Sequence, residues 1–549
     1  MDDKTKQIKC FLVTPPLLEP QTIYPAMPLL TGQLTANGFD AQNFDLNIYF
    51  FRKIFTQKFI KKVIKLLEKK SINYEKSEAD FILSNIDDAI KKFRKYQQET
   101  EDFKLAKDVL CKTLEFVSKP YDNFEMNEFF GFERTFKRFN GTFESIINTV
   151  NDTDNNIFTD IFNDAVKEIK KQNVDFIGIT IPFPATIIPA LTFAKILKEK
   201  TNIYVNIGGN FLKKENILSN PDFLNNYCDT VMIGDGEKSL VDLVSSLQNN
   251  QDIKNISGLI FKDENNNIQC NPPKQIKTMK DIENVSFDGI NFDEYMMENP
   301  WINLMISKGC YWGKCTFCSL GPKYKCYCIK KPKEVVSNII ELKEKYNLKY
   351  NFILFQDDSI PPLYLNMLAD ELLKQNVNIN YSIFARLEKE FTKELFEKLY
   401  KSGLRYIYWG LESGSVKILE DMQKGINLEI VPEILKNACM AGISNMAGII
   451  VNFPTETMKE YNETIEFLSK IKEYLTISPG NFTVMKNSIV EENKEKYGVK
   501  ILDYNRSNFN YSPTWEYVNI SDEEKEKKWI HFCDYVKGRE YSIDACKII

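Results

Sequence analysis

The sequence predicts an α/β protein: a Rossmann-like N-terminal domain split by a helical insertion, a partial (β/α) barrel, and a small α+β region at the C-terminus. Three observations carry this. Short apolar runs that read as buried strands alternate with helical stretches from Ile8 onward. The alternation breaks once, between about residues 50 and 171, where charged helical sequence takes over. After Trp301 it becomes regular. Strands that alternate with helices form parallel sheets, because a parallel pair needs a crossover connection. At 549 residues the chain exceeds one ordinary core, and domains are expected at 1–270, 271–480 and 481–549.

The first strand is Ile8-Lys-Cys-Phe-Leu-Val-Thr-Pro-Pro16, followed by a helix around Pro28–Leu34, the turn Asn37-Gly38 and a second strand from Asp40. That spacing is a βαβ unit. Between about 50 and 171, Lys and Glu interleave with apolar residues at helical spacing, as in Phe59-Ile-Lys-Lys-Val-Ile-Lys-Leu-Leu67. Either a solvated bundle or a substrate lid fits this stretch. Strands resume at Val174–Pro182, Ile203–Gly209 and Thr230–Gly234, and a helix from about Ser239 follows the turn Gly234-Asp-Gly-Glu237. Gly208-Gly209 at a strand end suits close approach of backbone to a ligand. A polar linker, Asp263–Asn267 and then Pro272-Pro273, leads onward.

Bulk properties narrow the class. Hydrophobic residues are 43% and charged residues 27% of the chain, an ordinary globular balance. No run of about eighteen apolar residues marks a membrane span, and Met1–Gln7 lacks the apolar core of a secretory signal. A net charge of −5 argues against a dedicated nucleic-acid surface. Twelve cysteines in such a chain point to a reducing, cytoplasmic setting, where thiols bind metals or stay free.

The chemistry concentrates in Ser307-Lys-Gly-Cys-Tyr-Trp-Gly-Lys-Cys-Thr-Phe-Cys-Ser319, directly after the strand pattern Ile302–Ile306. Cys310, Cys315 and Cys318 can bind three irons of a four-iron cluster and leave the fourth open. A structural zinc site would want a fourth ligand. Cys326 and Cys328 are near, but Cys-x-Cys is poor zinc spacing, and the single histidine, His531, is remote. That pair stays unassigned.

This loop resembles the cluster loop of the radical S-adenosylmethionine (radical SAM) enzymes. The resemblance implies that the open iron chelates the methionine moiety of S-adenosylmethionine (SAM). The usual spacing is Cys-x3-Cys-x2-Cys; here four residues separate the first two cysteines, and Gly313 offers a backbone that absorbs the extra one. Downstream, strand ends carry Gln356-Asp-Asp-Ser359, Ala385-Arg-Leu-Glu388, Gly410-Leu-Glu-Ser-Gly-Ser415 with Lys424 beyond, and Asn452-Phe-Pro-Thr-Glu-Thr457. In a βα barrel, functional residues gather at those ends. The order is similar to that in cobalamin-domain radical SAM proteins, from roughly residue 8 to 490 apart from the insertion.

The resemblance implies SAM contacts at Asp357, Asp358, Arg386, Glu412, Ser413, Lys424 and Asn452. Asp357 or Asp358 would face the amino group, Glu412 the ribose, and Arg386 or Lys424 the carboxylate. The N-terminal order resembles the cobalamin-binding domain of that class, which implies cobalamin contacts at Thr180, Gly208, Gly209, Asn210, Gly234 and Glu237. The Asp-x-His-x-x-Gly cobalt-ligand motif is missing, so any cobalamin would lack a histidine from this domain.

The implied cofactors are a [4Fe-4S] cluster, SAM and cobalamin. The implied activity is methylation of an unactivated carbon in a peptide or small natural product, with a flavodoxin- or ferredoxin-type electron donor; no protein base is identified. The Tyr-Trp-Gly-Lys loop looks most like peptide-maturing enzymes. Two rival readings remain open: radical SAM rearrangement, cyclisation or epimerisation without cobalamin methyl transfer, and a zinc-stabilised, non-catalytic binding protein. Methylthiolation or demethylation-type chemistry on RNA fits the anionic balance less well.

Overall fold

A computed structural model describes residues 7–95, 100–122, 124–126, 142–212, 214–220, 222–320, 327–348, 352–503 and 513–538. Two compact units emerge. The first comprises Met1–Gln275 with Asp281–Pro300, and the second chiefly Trp301–Ser507 with Tyr511–Ile549.

The first unit is built on β1 (Lys9–Thr14), β2 (Asp40–Asp45), β3 (Phe176–Thr180), β4 (Tyr204–Gly208), β5 (Thr230–Met232), β6 (Leu259–Lys262) and β7 (Ile268–Cys270). They form a sheet ordered β2-β1-β3-β4-β5-β6-β7, parallel through β5 and antiparallel after it. The helix Ala26–Ala36 makes the β1–β2 crossover that the sequence predicts. Strand order reverses between β1 and β3, so this is a doubly wound sheet, with its switch point at Thr14 and Thr180.

The helical insertion is a packed bundle and not a set of solvated rods. Helix Gln57–Lys69 buries Phe59, Ile60, Val63 and Leu67, the 3.6-residue stripe read from the sequence, and Thr56 caps it by accepting from Phe59 N at 3.2 Å. Helices Lys76–Arg94 and Glu101–Ser118 bring Phe93 and Phe103 into a stack with centroids 5.0 Å apart. Their apolar faces share one core with Phe11, Val13 and Ile177 of the sheet.

Where the sequence suggests a linker running on to the cysteine loop, the chain first returns to the N-terminal sheet. Asn43 N donates to Asp288 O at 2.8 Å, and Ser286 N donates to Pro28 O at 2.9 Å. Gly32 permits this approach, since a Cβ there would lie 1.8 Å from Asn284 O. These ties run mostly through backbone atoms and leave no apolar period to read.

The second unit carries β8 (Trp301–Leu304), β9 (Phe352–Phe355), β10 (Asn380–Ala385), β11 (Leu404–Glu412), β12 (Ser444–Val451) and β13 (Thr476–Asn481). They lie side by side in chain order, every pair parallel. Helices Pro332–Lys345, Pro362–Lys374, Lys393–Lys401, Val431–Met440 and Met458–Lys470 connect them. This is the partial barrel the alternation predicts. Trp409 on β11 is fully buried and donates from Nε1 to Asn445 Oδ1 on β12 at 2.8 Å.

The C-terminal hairpin, Val499–Asp503 with Thr514–Tyr517, and helix Asp522–Lys537 belong to the same unit as the barrel. The helix is tied in by Lys528, fully buried, whose ammonium donates to Glu456 O at 3.0 Å and lies 3.6 Å from Glu456 Oε2. Breaking such a pair strands a buried charge, so the helix is held firmly.

In the first unit, Asp45 accepts from Ile48 N at 2.9 Å and from the Tyr295 hydroxyl at 2.6 Å. Lost hydration outweighs both bonds and pushes its pKa up from 3.8 to about 6. The folded chain therefore keeps a proton that the unfolded chain gives up near pH 3.8. This group's contribution to stability is complete below that pH and is lost as pH rises through about 6. Asp45→Asn should flatten this part of the stability profile, measured as denaturation midpoint against pH.

Candidate functional site

The site begins where β8 ends. Past Leu304 the backbone meets the carboxylate of Asp357, which lies just beyond β9. Ile306 N donates to Asp357 Oδ1 at 3.0 Å, and Ser307 donates from both its backbone nitrogen and its hydroxyl at 2.5 Å. Asp357 is 2% exposed. Burial pushes its pKa up to about 7, against the pull of these donors. Ser307–Lys308 then pairs antiparallel with Cys328–Ile329, so the root of the cysteine loop is held on two sides. Cys326 lies outside the described residues; Cys328 sits in this ribbon, opposite Lys308.

Gly309, at φ 76°, turns the chain into Cys310, and Gly313, at φ 58°, takes up the extra loop residue. Cys310, Cys315 and Cys318 are all free and half-buried. Burial raises the thiol pKa of Cys315, opposed by the charges of Lys424 and Arg386; burial likewise raises Cys318 to about 11. The charge of Cys310 raises both others, so the three thiols lie within electrostatic reach of one another. Among the described residues no three His, Cys, Asp or Glu side chains are set to hold a single ion. A four-iron cluster asks for something else, since each thiolate binds its own iron. Metal coordination deprotonates a thiol outright, so the raised values are no obstacle to ligation. The donor set fits such a cluster.

The loop is clamped to the turn beyond β11. Thr316 donates from N to Met422 O and from Oγ1 to Asp421 O, both at 3.0 Å. Trp312 Nε1 donates to Gln423 O at 2.9 Å, and the Arg386 guanidinium lies 3.9 Å from the centre of its indole. Arg386 is 3% exposed; it donates to Lys424 O and pairs with Glu388 at 3.3 Å, and Glu388 also accepts from the Tyr311 hydroxyl at 2.9 Å. Two of the five N–H donors of this guanidinium and one of its faces thus have partners within the chain; the sequence offers it as a ligand for a carboxylate.

The polar residues and glycines of Gly410–Ser415 each make a definite contact. A Cβ on Gly410 would lie 2.7 Å from Lys424 Nζ, so glycine makes room for the pair between Lys424 Nζ and Glu412 Oε1, 2.9 Å apart and largely buried. Burial works against the charge of Lys424, but Glu412 and Cys315 together outweigh it and leave the lysine pKa raised. Glu412 itself sits at φ 69°. Ser413 shares a 3.0 Å hydrogen bond with Thr464, Gly414 lets Phe467 and Thr464 approach, and Ser415 donates to Glu463 at 2.6 Å. Glu412 and Lys424 come together as a unit, while the serines and Gly414 fasten helix Met458–Lys470.

The remaining candidates divide in the same way. Asp358 opens to solvent beside the buried Asp357. Asn452 is fully buried, with its side-chain amide donating to Asn481 Oδ1 and Lys525 O, and its backbone carbonyl accepting from Tyr517. In the first unit, register places Thr180 beside Gly208 and Gly208 beside Met232 at one edge of the sheet. Gly209, at φ 114°, has no room for a Cβ, which would fall 2.6 Å from Ile181 N, and a Cβ on Gly234 would meet Pro273 at the same distance. Asn210 is exposed and Glu237 is buried in the first turn of helix Gly236–Gln248. The parts that sequence reasoning leaves without a role are Tyr311, Trp312, Glu388 and Gln423; the one available signal is an aromatic pair inside the cysteine loop.

Residues 304–468, from the last residue of β8 to the helix that follows β12, match the Radical SAM superfamily. The barrel is a radical SAM domain. A domain of this superfamily implies a [4Fe-4S] cluster, SAM and an electron donor. The uncharacterized methyltransferase PH0819 of Pyrococcus horikoshii is 29% identical over 59% of this chain and 69% of its own length. The anaerobic magnesium-protoporphyrin IX monomethyl ester cyclase of Cereibacter sphaeroides is 21% identical over 62% of this chain, which spans 56% of that protein.

Solved structures share the fold. The cobalamin-dependent SAM radical enzyme OxsB, with aqua-cobalamin and SAM bound, aligns at TM-score 0.61 and 14% identity over 96% of this chain and 66% of its own. The radical SAM methyltransferase TsrM from Kitasatospora setae, with cobalamin and a [4Fe-4S] cluster bound, aligns at 0.58 and 12% over 98% of this chain and 90% of its own. Among the described residues no helix is long and apolar enough to cross a membrane.

Removing one partner of the Glu412–Lys424 pair leaves the other charge buried. Glu412→Gln should lower the stability of this unit by about 3 kcal/mol. Glu412→Gln combined with Lys424→Met should recover most of that loss, and denaturant midpoints of the three variants against the parent check the coupling.

Proposed function

We propose that the protein is a cobalamin-dependent radical SAM methyltransferase acting on an unactivated carbon of a peptide or small natural product. One observation carries the reading: a loop of three neighbouring thiols at the end of the first strand of a radical SAM barrel, in a chain whose first unit is a doubly wound parallel sheet. The likeness of almost the whole chain to two enzymes solved with cobalamin supports the cofactor.

In this reading Cys310, Cys315 and Cys318 each bind one iron. When bound, the cluster supplies an electron that makes SAM a source of a hydrogen-abstracting carbon radical, and cobalamin supplies the methyl group. The residues of the chain bind and orient. Asp358, the solvent-facing member of its pair, meets the amino group of SAM, while Asp357 fixes the root of the loop. Glu412 would accept from the ribose hydroxyls, and Lys424, which holds it in place, would supply a positive charge for the SAM carboxylate. Ser413 and Asn452 act from behind by fastening the strand ends.

For cobalamin, Thr180, Gly208, Gly209, Asn210, Gly234 and Glu237 line the strand-end edge of the first sheet. The only histidine of the sequence is His531, so the corrin would sit there without a histidine ligand from this unit. The electron donor is a flavodoxin or ferredoxin, and the setting is the cytoplasm.

The test is anaerobic reconstitution with iron, sulfide and hydroxocobalamin, followed by measurement of metal and corrin per chain. About four irons with one cobalamin are expected, and Cys310→Ala, Cys315→Ala and Cys318→Ala should each forfeit most of the iron. Iron without cobalamin would turn the reading to rearrangement, cyclisation or epimerisation, the direction in which the cyclase relative points. Zinc in place of iron would sink it.

A further inference from the structure

We infer that Trp312 is the latch of the cysteine loop, and that Arg386 is a positioning residue acting on the thiols through it. The inference rests on the reading of Cys310, Cys315 and Cys318 as cluster ligands. It concerns what holds them, not what they hold.

Three independent restraints converge on one indole. Its face lies against the Arg386 guanidinium at 3.9 Å, and its N–H donates to Gln423 O at 2.9 Å. Its benzo edge fills the space beside Gly425, where a Cβ would fall 2.4 Å from the ring. Gly425 also sits at φ 66°, so backbone and packing both demand glycine there. The guanidinium cannot drift, because Glu388 and Lys424 O hold it, and Glu388 in turn holds Tyr311.

The location gives the arrangement its meaning. Tyr311 and Trp312 lie between Cys310 and Cys315, the stretch that carries one residue more than the usual spacing. A longer loop has more conformations to lose when its sulfurs are fixed. Pinning two adjacent residues there, with Thr316 pinned on the other side of Cys315, removes that freedom before any metal arrives. Ligands held ready by outer partners bind more tightly and keep their geometry. A planar guanidinium can stack and donate from its edges at once, which an ammonium cannot.

The test uses the full-length chain with Trp312→Ala, Trp312→Phe, Arg386→Lys and Gly425→Ala. In the iron-free protein, the alkylation rates of Cys310, Cys315 and Cys318 are followed by mass spectrometry. Loss of the stack and the hydrogen bond should speed modification of Cys315 by about tenfold in Trp312→Ala and Gly425→Ala, with Trp312→Phe between these and the parent. After reconstitution, iron release to a chelator should accelerate similarly. The change that SAM produces in the electron paramagnetic resonance spectrum of the reduced cluster should broaden.

Parent-like alkylation in Trp312→Ala and Gly425→Ala, with circular dichroism unchanged, would overturn the latch. So would an Arg386→Lys variant that loses SAM affinity alone, since that would make the arginine a SAM ligand. A parent chain that takes up no iron would defeat the cluster reading, while the iron-free alkylation rates would still decide the latch.

Discussion

The second unit hangs on one buried carboxylate. Asp357 belongs to the end of β9, yet it accepts from both backbone nitrogens that lead out of β8 and from the Ser307 hydroxyl. Without it, Ile306 and Ser307 would carry unpaired donors into the interior, at a cost of roughly 1–3 kcal/mol each. Neighbouring strands of a parallel sheet are joined by ladders, but the backbone beyond a strand end is free unless a side chain fixes it. Asp357 fixes it at the point where the cysteine loop departs. The loop is then fastened a second time at Asp421–Gln423, so its two ends are referred to two different strands of one sheet.

Adjacent acids at a strand end read as ligands, because charge at a barrel mouth usually has work to do there. Here the two have parted company: one serves the fold and one faces solvent. The same division runs through Gly410–Ser415. Its glutamate joins a distant lysine, and its serines and second glycine anchor a helix. Spacing alone cannot tell these apart, because the deciding partners, Lys424, Glu463 and Thr464, lie one turn or one helix away.

Much of the architecture is legible in the chain itself. Apolar runs mark the parallel strands, and the stripe Phe59–Leu67 marks a true bundle helix. Cys310, Cys315 and Cys318 stand out by their spacing. Other features leave no such mark. The return of Asp281–Pro300 to the first sheet is made by backbone bonds and by the side chains of Gln33, Asn43 and Tyr295, which form no pattern along the chain. The attachment of the C-terminal helix depends on Lys528 burying a charge against Glu456, and one lysine among several in a charged helix reads as solvated. The commitment of Arg386 to Trp312 joins residues that nothing in the linear pattern relates.

The two sheets differ in how their neighbours are spread along the chain. In the second, each of the strands β8 to β13 pairs with the one before or after it in the chain, and a helix closes the short gap. In the first, β1 pairs with β3 only across the whole insertion: Val13 stands beside Ile179, and Lys9 N donates to Asp175, 166 positions away. Bringing such distant segments together costs chain entropy that grows with the logarithm of the intervening length, and contacts of this kind slow folding. A collapsed insertion shortens the effective loop, and its helices share a core with Phe11, Val13 and Ile177. The packed bundle therefore shortens the effective separation of the two strands it interrupts. While the chain is being made, β1 can pair with β2 on one side, but its other edge waits for residue 176.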